Sequence, residues 1–313
     1  MERSEITGKI NHRYILIGEA ADTCSVTDLG QMCKAHDIQR DLVSARYVAL
    51  LLLHEWCNLL PTDVLSDLHR DVEEVIAIAQ EMTAVRALLD KHLPRSTSAA
   101  EQAQGDRDST AEEDAGAASP SSSVATEAQG NRTYYIAMNW VAPVETPARL
   151  FGQGLHSVEG AVEFVRRLSE QLGKLYLCTH YLRPVIAIEK LAFLERSNGG
   201  SAPQNGTPQV VLGDLGFDNY LDRPSRDKDD EHNDVRALTT LLVQLLDGVL
   251  RAKTEAPSPS KTWRDLRTHV DEVQAAYAAL APQNPGDQDV APTLWDVLHD
   301  PQIADFASFA ARL

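Results

Sequence analysis

From Pro94 to Asn131 the chain is built of Ser, Ala, Gly, Glu and Gln, with almost no large apolar side chain. No other feature constrains the fold as much. Such a run buries too little surface to offset its chain entropy, so 95–131 is expected to be a disordered loop. Two blocks with regular apolar patterning flank it, and any fold must be assembled from both.

The first block opens with short β-like runs at Tyr14–Gly18, Cys24–Thr27 and Gln31–Ala35. After Asp37 the pattern becomes helical, because Leu42, Ala45, Ala49, Leu52 and Leu53 recur on one face. A second helix is expected from Asp63 to His92, with Leu65, Leu68, Val72, Val75, Ile76 and Ala79 inward. Its early acids and terminal Lys91 and His92 match the helix dipole.

The second block begins with a strand, Thr133–Val141, followed by a long helix over Ser157–Tyr181. That helix places Ala161, Phe164, Val165, Leu168, Leu172 and Leu175 on one face. Strands are expected at Val185–Ile188 and Gln209–Leu212, then helices at Asp234–Leu250, Trp263–Leu280 and Pro292–His299. Loops are expected at Arg196–Pro208, Asp222–Asn233 and Thr254–Lys261. Strands early and helices late imply an α+β fold with a small β-rich lobe and a larger helical lobe.

A net charge of −17 and a pI near 4.9 exclude general binding to nucleic acid or anionic membranes, which requires a Lys/Arg footprint. The cysteines Cys24, Cys33, Cys57 and Cys178 form no CxxC pair and have no His at metal-ligand spacing, so reduced thiols and no metal are expected. No apolar run has membrane-spanning length, and the N-terminus has no signal-peptide character, so an intracellular location is expected. No G-x-S-x-G, P-loop or H-E-x-x-H motif occurs.

The order of elements and several residues resemble eukaryotic protein kinases. Tyr14–Gly18 is similar to the first strand entering the Gly-rich loop, although Glu19, Ala20, Asp22 and Thr23 stand where further glycines and an uncharged surface would face phosphates. Lys34 falls where the V-A-I-K lysine would be, with Asp41 or Glu55 as its acid. Asp214, Leu215 and Gly216 resemble Asp-Phe-Gly, whose Asp binds Mg²⁺. Asp234 opens a stretch similar to the central helix of the helical lobe, where it would cap the catalytic-loop backbone, and Pro292–Pro301 resembles the penultimate helix. The lobes implied are 10–141, with a helical insert and the disordered loop, and 142–306.

The catalytic loop departs from the family. Between Arg183 and Leu194 there is no Asp and no Asn, and Glu189 is the only acid. In one register the base position is Ile186 and the metal-binding Asn position Leu191; shifted by two, these become Ile188 and Phe193. The short span from Asp214 to Asp234 also lacks Ala-Pro-Glu. The resemblance therefore implies a catalytically inactive pseudokinase acting as a protein-interaction scaffold. Gly18, Lys34 and Asp214 would be its vestigial nucleotide pocket, with no obligate cofactor. Within kinases the chain resembles the mitotic-checkpoint Bub family, in particular its divergent kinetoplastid kinetochore pseudokinases. That resemblance implies checkpoint or kinetochore protein partners and a nuclear or cytoplasmic location. Two other readings stand beside it. One is a nucleotide-binding switch or weak kinase using Mg·ATP with Glu189 as base; the other is an unrelated helical adaptor.

Overall fold

The computed structural model describes residues 9–17, 25–39, 47–94, 133–194, 208–222, 224–253 and 300–313, together with 272 and 275. Among these, an antiparallel sheet is formed by β1 (Lys9–Ile10), β2 (Tyr14–Leu16), β4 (Gly30–Asp37), β5 (Tyr47–Leu53), β7 (Tyr135–Asn139) and β6 (Leu88–His92), in that spatial order. The two-residue strand β3 (Ser25–Val26) also pairs with β4, beside the stretch that pairs with β2. A tight hairpin joins β3 to β4: the Thr27 amide donates to the Gly30 carbonyl at 2.8 Å, and the Gly30 amide donates to Thr27 Oγ1 at 3.1 Å.

Strand β5 corrects an expectation. Tyr47–Leu53 is a central strand between β4 and β7, where a helix was predicted. Its residues 48–53 are all buried. Ala49, Leu51 and Leu53 point into the main core, while Val48, Leu50 and Leu52 join Tyr14, Cys33, Ala35 and Tyr135 on the opposite face. A short apolar run buried on both faces matches helix and strand periodicity alike, and here the two neighbouring strands decide.

Helix α1 (Thr62–Ala77) follows and buries Leu65, Leu68, Val72 and Val75. It ends well before His92, because 83–85 and 88–92 have better partners elsewhere. The Gln171 side chain accepts the amides of Thr83, Ala84 and Val85 at 2.8–3.1 Å, and Leu88–His92 becomes a sheet edge. The second half contributes α2 (Val158–Cys178), capped by Ser157, then α3 (Lys228–Lys253) and α4 (Phe306–Arg312). A second sheet has the order β10 (Gln209–Leu212), β9 (Leu191–Leu194), β8 (Val141–Pro143).

The strand expected at Thr133–Val141 is thus split at Trp140, where the chain passes from one sheet to the other. Val185–Ile188 is not a strand; the strand lies at Leu191–Leu194, paired on both sides. Helix α3 starts at Lys228, inside the expected loop, with Asp229, Asp230 and Glu231 in its first turn, where acids suit the dipole. Leu238, Leu241, Leu242 and Leu245 on α3 meet the apolar face of α2. The whole is α+β, a β-rich part followed by a helical one, and not an all-helical adaptor. The loop at 95–131 and the helices expected at Trp263–Leu280 and Pro292–His299 lie outside the described residues, save for helical residues at 272 and 275.

Candidate functional site

The site lies where the two parts meet, around Asp214 at the end of β10. Its backbone is fixed from both sides. The Gly213 amide donates to the Lys190 carbonyl at 2.9 Å, and the Gly216 amide donates to Asp214 Oδ1 at 2.8 Å. Gly216 has φ of 84°, and a Cβ there would overlap the Arg183 carbonyl, so only glycine fits this turn. Leu215 and Phe217 on either side are buried in the core.

Asp214 forms an ion pair with Lys190 and attracts Arg86 at longer range. Lys190 Nζ lies 2.7 Å from Oδ2. The contact with Asp214 raises the Lys190 pKa, burial opposes it, and Asp218 adds to the rise. Behind the carboxylate, Arg86 is buried. Its Nε donates to the Asn139 carbonyl at 2.7 Å and its Nη1 to that of Gly213 at 3.4 Å. Burial pushes its pKa down to about 10, against the pull of Asp214.

Lys190 ends the 3-10 turn Ile188–Lys190, immediately before β9. Leu191 and Phe193, the metal-binding Asn positions of the two sequence registers, are buried strand residues of β9. Glu189 is exposed in the same turn. The side chain of this loop that meets Asp214 is therefore a lysine.

Lys34 is held elsewhere. It sits on β4 opposite Ala49, and its ammonium lies 4.0 Å from the centre of the Tyr47 ring and 4.5 Å from that of Trp140. Such cation–π contacts help to hold the lysine on this face of the sheet. Glu55 is exposed in the turn Glu55–Leu59, while Gly18, Glu19, Asp22 and Asp41 lie outside the described residues. Among the described contacts, Lys34 meets the Tyr47 and Trp140 rings and Asp214 meets Lys190.

Two features of the site were not read from the sequence. The first is Asp71 on α1, fully buried. It accepts the amides of His180 (3.0 Å), Tyr181 (2.9 Å) and Leu182 (3.3 Å), and the Tyr220 hydroxyl at 3.3 Å. Burial first, and then Asp71, push the Tyr220 phenol upward. A signal existed: Asp71 lies one turn from Leu68 and beside Val72, on the inward face of α1, and a buried acid requires donors. The second is the hairpin tip, where Leu29 is fully buried and Asp28 Oδ2 accepts the Leu221 amide at 3.0 Å. It left no periodic signal. The loop backbone is held by Arg226, whose guanidinium donates to the Leu182 carbonyl and whose amide donates to that of His180 at 3.1 Å; Asp234 attracts that guanidinium.

The chain matches no protein-family model and no curated protein. Among solved structures it is similar to the kinase domain of Mycobacterium tuberculosis PknI. A double mutant of that domain gives a TM-score of 0.48 at 10% identity, over 99% of this chain and 97% of that one. A second structure of the domain gives 0.45 at 12% identity, over 98% and 96%. Values this low define neither activity nor substrate for this chain. The order of elements itself is that of a two-lobed kinase-like fold: antiparallel strands, a helix before the last two strands of the first sheet, then a helical part with Asp214 after a strand at the junction.

Proposed function

We propose that this chain is a catalytically inactive kinase-like domain that works by binding other proteins. The observation that carries this reading is the Lys190–Asp214 ion pair. In kinases the Asp of Asp-Phe-Gly and the Asn of the catalytic loop hold Mg²⁺, and the Asp five residues before that Asn accepts the hydroxyl proton. Lys190 stands in the Asn position by its contact with Asp214, and the base position then falls on Val185. A lysine ammonium supplies the positive charge that the metal would bring, and an aliphatic side chain cannot take a proton.

The strand before α1 supports the same reading. It carries Val48-Ala49-Leu50-Leu51 where kinases carry V-A-I-K, so buried Leu51 replaces the lysine that pairs ATP phosphates. Asp71, the buried acid on α1, is occupied by backbone amides. Vestigial roles for Gly18 and Lys34 in a nucleotide pocket gain no support from these contacts. The donors around Asp214 do not fit Mg²⁺, because Lys190 already neutralises the carboxylate. Placement in mitotic-checkpoint or kinetochore signalling, with protein partners there and a nuclear location, rests on the Bub-type resemblance alone.

The test is phosphoryl transfer from labelled ATP to a generic protein substrate and to the chain itself. The expected rate equals background, and an Asp214→Asn variant gives the same value. Transfer above background that disappears in Asp214→Asn would overturn the proposal and favour a weak unconventional kinase.

A further inference from the structure

We propose that the tip of the β3–β4 hairpin is a latch that holds the two lobes closed without a ligand. The tip is rigid, because Thr27 Oγ1 and the Thr27 amide both bond to Gly30, and a Cβ on Gly30 would overlap the Leu52 carbonyl. Leu29 inserts into the main core. Its carbonyl accepts the His54 amide at 3.0 Å and the Cys57 thiol at 3.3 Å, both in the segment that leads into α1. Burial pushes the Cys57 thiol up to about 11, so it stays a neutral donor at neutral pH.

On its other side the tip grips the helical lobe. Asp28 Oδ2 accepts the amide of Leu221, and the adjoining Tyr220 donates to Asp71 on α1. The contacts therefore close a ring: hairpin tip, entry to α1, α1 itself, the segment after Asp214, and back to the tip. Opening the hairpin must strip Leu29 from the core and release Leu221 together. In a kinase-like fold the turn between the first two long strands covers the phosphates of ATP, so the latch takes over a closing role that nucleotide has there. This last point rests on the proposed function; the contacts themselves do not.

Hydrogen exchange on the full chain tests the latch, since amides that open in one event share one opening free energy. In the wild type, the hydrogen-bonded amides of Thr27 and Gly30 and that of Leu221 should exchange with a common protection factor. Asp28→Ala removes a charged acceptor and should raise exchange on the order of tenfold or more at both places. Asp28→Asn keeps an acceptor oxygen and should lie between. Loss of protection confined to 25–31, or unequal protection factors in the wild type, would overturn the latch. A parallel wild-type sample with Mg·ATP separates the two proposals: protection gained with nucleotide counts against the inactive reading and leaves the latch standing.

Discussion

Asp71 and Asp214 lie on either side of the junction between the lobes, and the fold neutralises them in different ways. Asp71 has no exposure and satisfies its charge with three backbone amides and a phenol. Asp214 keeps 12% side-chain exposure and faces a lysine whose own side chain is 40% exposed. The first arrangement fixes backbone: it ties α1 to the segment after α2, and those amides have no other acceptor if the carboxylate goes. The second is a charge balance at the rim of a cleft, where water can replace either partner. The difference separates a residue that holds the architecture from one that balances charge at the rim of the cleft.

Removing each acid should bring this contrast out. Asp71→Ala leaves three N–H groups, that of Leu182 buried, without their acceptor and is expected to destabilise by about 3–5 kcal/mol. In chemical denaturation this appears as a large fall in the midpoint at an unchanged slope. A loss below about 1 kcal/mol would mean that water reaches 180–182 and that Asp71 is no keystone. Asp214→Ala removes one amide acceptor and a half-exposed ion pair, and should cost only about 1–2 kcal/mol by the same measurement. If Asp214→Ala proved as costly as Asp71→Ala, the two sites would not differ in kind.

Much of the helical part was legible in the sequence. The stripes of α2 and α3 have a single period, and the two helices bury those faces against each other. The Asp214-Leu215-Gly216 turn was legible too, because a left-handed glycine after an Asp acceptor is a local device written in adjacent residues. Strand β5 was not, since an unbroken apolar run carries no period that separates a helix from a strand buried on both faces. The end of α1 was set by Gln171, a residue far along the chain, and no local pattern records that. The catalytic-loop register was not legible for a related reason. Ile186, Ile188, Leu191 and Phe193 are interchangeable aliphatic or aromatic anchors, and only the contact of Lys190 with Asp214 fixes which residue faces the cleft. The missing Asp needed no register, because none lies anywhere between Arg183 and Leu194.

The central claim is that Lys190 cancels the metal-binding charge of Asp214. Titrating Mg·ATP against the melting temperature of the wild type and of Lys190→Asn tests it most directly, since a ligand that binds the native state raises the melting temperature with concentration. The wild type should stay flat to millimolar Mg·ATP, while Lys190→Asn, with Asp214 released, should gain a rise. A concentration-dependent rise in the wild type, unchanged in Lys190→Asn, would contradict the account.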